Sequence, residues 1–165
     1  MGLPVVVLVE PSHPGNIGAV ARAMKTMGYM QLRLVNPKKD LNDSEAIARA
    51  SSAGDVLTSA KCYASLEDAV FDCDLVLALS NRPRTLNWPV YSPRHAAEKF
   101  LAVKQKIALV FGRESNGLSN DEVNICNAQI TIATNSCYGS WNLSHAVQLT
   151  VYEFYNVFLQ NSSQN

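Results

Sequence analysis

Short runs of apolar residues recur along the chain and alternate with longer segments in which apolar residues repeat every three or four positions. The short runs are rich in Val, Leu and Ile, which is typical of strands buried on both faces of a parallel sheet. Five strands are predicted, at residues 5–9, 32–36, 75–79, 107–111 and 129–133. The pattern therefore predicts a mostly parallel sheet.

Helical periodicity fills the segments between these strands. In residues 16–28, an apolar stripe is preceded by Asn16, a predicted N-cap, and followed by Gly28, a predicted C-terminal stop. Further helices are predicted at 44–52, 66–72, 93–104 and 142–159, and a short one after Ser119 or Asn120. Because strands and helices alternate, the predicted class is α/β, with helices flanking the sheet.

The last predicted helix is apolar around most of its circumference. Leu149, Tyr152 and Tyr155 lie outside the stripe that would face the sheet. Such a helix needs a second packing partner, which favours a homodimer; deep coverage within a monomer is the alternative. Residues 1–160 are predicted to form one domain, and the polar residues 161–165 a frayed tail.

The charges are balanced in number but not in position. The chain has 14 basic and 14 acidic residues, and every base lies between Arg22 and Arg113. Residues 1–113 thus carry ten acids and a net charge of +4, whereas residues 114–165 carry four acids, no base and a net charge of −4. Neutrality argues against a general nucleic-acid binder, while the asymmetry favours one basic face; chance clustering is the alternative.

Cysteine spacing and the N-terminal residues exclude several classes. The four cysteines form no Cys-x-x-Cys pair, so free thiols are expected and no metal site is predicted. The first residues have no basic region and only five consecutive apolar residues, too few for a signal peptide or a membrane span. A cytoplasmic protein is expected.

The first segment with candidate chemistry is "EPSHPGNIGAVAR", residues 10–22. It matches neither the dinucleotide-binding G-x-G-x-x-G pattern nor a P-loop. A helix N-terminus still offers free N–H groups to an anion, and Arg22 follows a turn and a half later, so a phosphate or ribose could bind here. A capped core helix with a solvated arginine is the alternative.

The second segment is "LVFGRESNGLSNDE", residues 109–122, where a buried strand runs into a turn. Gly112, at the carboxyl end of that strand, would allow a ligand to approach the backbone closely. Glu114 would face the same crevice. A surface turn with an ordinary salt bridge is the alternative.

The third segment is "YGSWNLSHAV", residues 138–147, which precedes the last helix. Its Gly and Ser residues permit an irregular loop, and Asn142 is a predicted N-cap. Remaining backbone N–H and C=O groups could then bind a flat heterocycle. A loop that only caps the helix is the alternative.

Together the three segments resemble motifs 1, 2 and 3 of the SpoU-type 2′-O-ribose RNA methyltransferases of the SPOUT superfamily. The order is "GNIGAVARAMKTMG", "LVFGRESNGL" and "SWNLSHAVQ", and the resemblance covers nearly the whole chain. The segments "VLVEPSHPGNIGAVARAMKTMG" and "RPRTLNWP" and the form "FGRE" are most similar to the TrmJ subgroup, which methylates nucleotide 32 of tRNA.

The resemblance implies a SPOUT fold with a deep C-terminal trefoil knot, a homodimer and S-adenosylmethionine as cofactor. The implied cofactor-binding positions are Leu79, Ser80, Asn81, Gly112, Ile132, Gly139, Ser140 and Trp141. The implied catalytic and substrate positions are Asn16, Arg22, Glu114, Ser140 and Asn142. A guanidinium is a poor base, so Arg22 is interpreted as orienting the ribose 2′-oxygen and stabilising its developing charge. The proton acceptor, a phosphate oxygen or a briefly deprotonated guanidine, stays open.

The predicted partner is tRNA, and basic side chains are its candidate contacts. These are Arg22, Lys38, Lys39, Arg82 and Arg84, with Trp88 either stacking on a base or packing in the core. Trp141 stands where the resembled family more often has a smaller apolar residue. Two alternative functions are kept: TrmL-type methylation of the wobble nucleotide 34, and a knotted RNA-binding protein without catalysis.

Overall fold

The strands form a single parallel sheet. The computed structural model describes residues 2–83, 88–137, 139 and 141–165. Its strands are β1 (Val5–Val9), β2 (Leu32–Val35), β3 (Lys61–Tyr63), β4 (Leu75–Leu79), β5 (Val90–Tyr91), β6 (Ile107–Phe111) and β7 (Ala128–Ile130). Their order across the sheet is β3-β2-β1-β6-β4-β7-β5, and every pairing between them is parallel. The predicted parallel sheet is confirmed.

The two strands that the pattern did not predict lie at the edges of the sheet. β3 has three residues, of which Lys61 and Cys62 are exposed, and β5 has only two. By contrast, all five residues of β1 and of β6 are buried. Edge strands this short contain no apolar run, so hydrophobic periodicity does not reveal them.

Seven α-helices surround the sheet in the described part of the chain. They are α1 (Pro14–Thr26), α2 (Ser44–Ala50), α3 (Gly54–Ser59), α4 (Leu66–Val70), α5 (Pro93–Phe100), α6 (Asn120–Ile125) and α7 (Leu143–Ser163). The predicted helix at 44–52 is divided: a 3₁₀ turn, Ser51–Ala53, separates α2 from the unpredicted α3. Ser119 caps α6 in a reciprocal capping box with Glu122, which confirms one of the two predicted caps.

The predicted start of α1 was wrong. Its N-cap is His13, not Asn16, and Pro14 occupies the first helical turn. Proline is favoured there because its fixed φ suits a helix and its missing N–H would have no helical partner. The predicted C-terminal stop of the helix is confirmed, since Gly28 directly follows the C-cap and has a φ of 76°.

The helices form one layer on each face of the sheet. Alternate residues of β1 separate the two cores: Val6 and Leu8 pack with α1, α2, α3, α5 and α7, whereas Val5 and Val7 pack with α4 and α6. On the larger layer, α1 and α2 approach so closely that a Cβ at Gly18 would overlap the Ala46 carbonyl. The close packing of α1 against α2 therefore explains why residue 18 is a glycine.

α7 extends four residues beyond its predicted end at 159, to Ser163. One side is buried at Val147, Val151 and Phe154, while Leu149 and Tyr152 on other faces are exposed. No helix of the described residues is long and apolar enough to cross a membrane.

Candidate active site

A cavity of about 420 Å³ opens where β4, β6 and β7 end and α7 begins. We call it the first cavity. Parallel strands bring their carboxyl ends to one edge of a sheet, which is where ligands bind in open α/β folds. Seven of the eight predicted cofactor-binding residues line it: Leu79, Ser80, Asn81, Gly112, Ile132, Gly139 and Trp141. The eighth, Ser140, lies outside the described residues.

A second cavity, of about 710 Å³, adjoins the first. It is lined by His13, Asn16, Glu114, Thr134, Asn135, Trp141, Asn142, Leu143 and His145. Three predicted catalytic residues therefore meet here, namely Asn16, Glu114 and Asn142. Glu114, Trp141 and Leu143 line both cavities and form their common wall.

Gly112 directly precedes a tight turn in the lining of the first cavity. Arg113 and Gly117 exchange backbone hydrogen bonds of 3.1 and 3.0 Å, and Gly117 has a φ of 66°. This turn folds back so closely that a Cβ at Gly112 would overlap the backbone of Gly117 and Leu118. Only glycine fits at this position without a shift of the turn.

Glu114 connects this turn to the segment that leads into α1. Its carboxylate accepts hydrogen bonds of 3.3 Å from the backbone N–H groups of Ser12 and His13. Burial opposes ionisation of the carboxyl, but the backbone N–H groups of Glu114 itself, His13 and Ser12, together with the Asn16 side chain, outweigh it, and the pKa of Glu114 is lowered. A carboxylate beside the N-terminus of α1 is also favoured by the helix dipole.

Arg113 fixes the other side of the turn. Its guanidinium pairs with Glu122 through bonds of 2.8 and 3.0 Å and donates to Glu10 at 2.6 Å. The hydrogen bond to Glu122 is the largest effect that raises the pKa of Arg113 above its usual value. The paired arginine joins the ends of β1 and β6 to α6, so its role is structural.

Gln129 anchors the loop that follows β4, a role that was not predicted from the sequence. This buried side chain donates to the carbonyls of Ser80 at 2.9 Å and Arg82 at 3.2 Å. Thr131 donates a second bond to the Ser80 carbonyl, at 2.8 Å. A polar residue inside an apolar strand was the available signal, because a buried amide must find partners.

Asn142 caps α7 as predicted. Its side-chain oxygen accepts from the backbone N–H of Ser144 at 3.0 Å and from the Ser144 hydroxyl at 2.7 Å. The cap fixes the direction in which the loop of residues 139–142 leaves the helix, and so positions Trp141 at the common wall.

The predicted RNA contacts are dispersed. Arg22 is exposed on α1 and lines neither cavity, and Lys38 pairs with Glu10 at 2.8 Å. Lys39 is exposed nearby. Arg82 lines the first cavity, where it donates to the Asn116 carbonyl at 2.6 Å and so bridges two of the cavity's loops.

The remaining predicted RNA contacts are Trp88 and Arg84. Trp88 is partly buried against the core on the α4 and α6 side of the sheet, which favours the packing interpretation. Arg84 lies outside the described residues.

The described side chains contain no group of three or more His, Cys, Asp or Glu arranged to hold a metal ion. Cys62, Cys73, Cys126 and Cys137 are all free of disulfide bonds.

Comparison with known proteins finds a family model and relatives that match most of this chain. The model of the SpoU rRNA Methylase family matches residues 4–152. The tRNA (cytidine/uridine-2′-O-)-methyltransferase TrmJ of Citrobacter koseri is 51% identical over 150 residues, which make up 90% of this chain and 61% of the relative. The chain thus spans less than two thirds of that relative's length.

Solved structures share the fold. TrmJ from Z. mobilis ZM4 matches with a TM-score of 0.89 and 35% identity, over 94% of this chain and 70% of that one. The SpoU methyltransferase AviRb from Streptomyces viridochromogenes, solved in complex with the cofactor AdoMet, matches with a TM-score of 0.74 and 19% identity, over 97% of this chain and 63% of that one. At that identity, the likeness to AviRb concerns the fold alone.

Proposed function

The chain belongs to the SpoU methylase family, and from this membership we propose that it transfers a methyl group from S-adenosylmethionine to the ribose 2′-hydroxyl of tRNA. The proposed target is the cytidine or uridine at nucleotide 32. The observation that carries the proposal is the gathering of three sequence motifs around two adjoining cavities with a common wall.

The first cavity suits the cofactor. Its volume of about 420 Å³ falls in the range of about 300 to 1,000 Å³ that is usual for small-molecule sites. Apolar side chains such as Leu79 and Ile132 line it beside the tight turn at Gly112, where the absence of a Cβ lets the backbone of Gly117 pack closely. Bound there, S-adenosylmethionine would supply a methyl group on a positively charged sulfur.

The second cavity would hold the nucleotide that accepts the methyl group. The two cavities share Glu114, Trp141 and Leu143, so a ribose at this wall would lie beside the methyl donor. Glu114 would keep the α1 entry loop and the Gly112 turn in register, and Asn142 would do the same for the loop before α7. Exact alignment of this kind supplies much of the rate of a methyl transfer.

Arg22 is proposed to orient the 2′-oxygen and to stabilise the negative charge that develops on it. It is exposed on α1, outside both cavities. A guanidinium stays protonated at neutral pH, so it suits charge stabilisation better than proton removal.

A homodimer and a deep C-terminal trefoil knot belong to the same proposal. Exposed Leu149, Tyr152 and Leu159 on α7 support the dimer, because apolar side chains on a helix otherwise packed in the core suit a second packing surface. Family membership supports the knot. Light scattering coupled to gel filtration should give twice the 18.0 kDa mass of the chain, and a monomer at micromolar concentration would contradict the dimer.

The decisive experiment is transfer of a labelled methyl group from S-adenosylmethionine to unmodified tRNA, followed by mapping of the modified ribose. We expect a single 2′-O-methyl group at nucleotide 32. A matched tRNA with 2′-deoxyribose at that nucleotide should accept none. Methylation at nucleotide 34 would favour the wobble alternative, and binding of tRNA without transfer would favour a non-catalytic RNA-binding protein.

A further inference from the structure

Trp141 combines exposure with a position between the two cavities. Its side chain is 39% exposed, although it is large and apolar. It lines both cavities, at the end of the loop that Asn142 holds against α7. An exposed indole in a cavity wall offers a flat surface on which an aromatic ring of a ligand can stack.

Hydrogen-bonding groups lie around Trp141 in the second cavity. His13 occupies the N-cap of α1, yet its side chain makes no capping hydrogen bond, so its imidazole is available for other contacts. His145 is exposed in the first turn of α7. Thr134 and Asn135, both exposed, lie on the same cavity wall. An aromatic platform edged by hydrogen-bond donors and acceptors is the usual arrangement for recognising an unstacked base.

We propose that the second cavity binds the base of the nucleotide to be methylated, with this base stacked on the indole of Trp141 and its edge facing His13 and His145. This inference rests on the proposed function and adds to it the residues that recognise the base. A base in the second cavity places its own ribose at the common wall, next to Glu114 and the first cavity. The cavity would therefore hold one nucleotide turned out of its loop in the tRNA.

The adenine of the cofactor is the competing partner for the indole, because Trp141 also lines the first cavity. The first cavity has apolar walls of its own at Leu79, Ile130 and Ile132, which could enclose an adenine. The second cavity is larger, and among the described residues its lining contains no aromatic side chain besides Trp141 and the two histidines. Among the described residues of this lining, the indole is the largest flat surface on which a base can stack, which is why we assign the indole to the RNA.

The test compares the full chain with its Trp141→Ala and Trp141→Phe variants. Affinity for an anticodon stem–loop RNA is measured by fluorescence anisotropy, and affinity for S-adenosylmethionine by calorimetry. Loss of one stacked base weakens RNA binding by about tenfold, so we expect this loss for Trp141→Ala and a near-normal affinity for Trp141→Phe. Cofactor affinity should fall less than RNA affinity in Trp141→Ala, because the first cavity keeps its own apolar walls at Leu79 and Ile132. Phe71→Ala, at an exposed aromatic residue outside both cavities, is the matched control and should change neither affinity.

A second RNA makes the test specific for the base. The same stem–loop is prepared without the base at the nucleotide that the methyl-mapping experiment identifies. Wild type should lose about the same affinity with this abasic RNA as Trp141→Ala loses with the intact RNA, and the variant should lose little more when the base is also removed. Additive losses would overturn the stacking contact.

The remaining outcomes separate this inference from the proposed function. If Trp141→Ala loses cofactor affinity and keeps RNA affinity, the indole belongs to the cofactor and the inference is wrong. If wild type methylates tRNA while Trp141→Ala binds RNA normally, the inference fails and the proposed function stands. If wild type transfers no methyl group to any tRNA, the proposed function fails, and the base-binding inference fails with it.

Discussion

The carboxylate of Glu114 accepts a hydrogen bond from the backbone N–H of Ser12 at 3.3 Å, although 102 positions separate the two residues in the chain. Ser12 precedes α1, and Glu114 follows β6. This contact holds the first and second sequence motifs together at the edge of the sheet where the two cavities meet.

Replacing Glu114 by Gln should make the stability of the protein vary less with pH in the acid range. Folding lowers the pKa of Glu114 below its ordinary value of 4.5, so the ionised carboxylate stabilises the protein above that pH, and this contribution is lost as the pH falls through the lowered pKa. Glu114→Gln should therefore melt at a lower temperature than wild type at pH 7, and the difference should shrink below about pH 4.

Thermal melting followed by circular dichroism from pH 7 to pH 3 measures this effect. Glu67→Gln, at an exposed position on α4 outside both cavities, serves as the control. If Glu114→Gln and wild type have the same melting temperature at every pH, the hydrogen bonds to Ser12 and His13 are unimportant for stability.

Replacing Gly112 by Ala should damage both stability and cofactor binding. The added methyl group would overlap the Gly117 backbone, and overpacking against backbone costs about 2 kcal/mol or more. Urea denaturation measures the loss, and calorimetry measures the affinity for S-adenosylmethionine. Gly54→Ala is the matched control, because nothing lies within 4 Å of its added Cβ. Equal stability of the two variants would contradict the close approach at Gly112.

Replacing Asn142 by Ala should remove the cap of α7, which is worth about 1 kcal/mol. Asp caps helices about as well as Asn, so Asn142→Asp should keep the stability of wild type. Urea denaturation and a methyl-transfer assay on both variants separate the cap from any direct role of the amide. If Asn142→Asp is stable but inactive, the amide itself contacts a ligand. If Asn142→Ala is as stable as wild type, the cap is not what holds this loop.

Replacing Arg22 by Ala should reduce methyl transfer by about 100-fold to 1,000-fold, the usual effect of removing one group that stabilises a developing negative charge. Cofactor affinity should be unchanged, because Arg22 does not line the first cavity. Lys25→Ala removes the same charge from the exposed side of α1, where Lys25 pairs with Asp55 at 2.9 Å, and should retain activity. Single-turnover transfer rates decide between them, and a fully active Arg22→Ala would remove the arginine from the mechanism.

Hydrophobic periodicity predicted the elements that bury a continuous surface. β1 and β6 were found with their full extent, because every residue in them is buried. β5 was missed because two residues at the sheet edge produce no periodic signal. The start of α1 was misplaced for a different reason. Histidine is a rare N-cap residue, and the side chain of His13 makes no capping hydrogen bond, so the residue type does not mark the helix start.

The candidate site was predictable where a residue's type reveals a local constraint. Asn142 could be identified because a helix start favours such a residue. Gly112 was identified as a place where a ligand could approach the backbone at a strand end, whereas the close contact that the structure shows there is with the backbone of Gly117. Arg113 and Gln129 were missed, since their partners lie on other elements and depend on the order of strands in the sheet. Local sequence reasoning cannot supply that order.

The place of β6 in the sheet has a consequence for how the protein is made. β6 separates β1 from β4, and it pairs with both. During translation, both strands leave the ribosome before residues 107–111 and must wait with unpaired edges for the strand that joins them. Non-local parallel pairing of this kind is slow and exposes the chain to aggregation. The nascent protein should therefore depend on chaperones until β6 emerges.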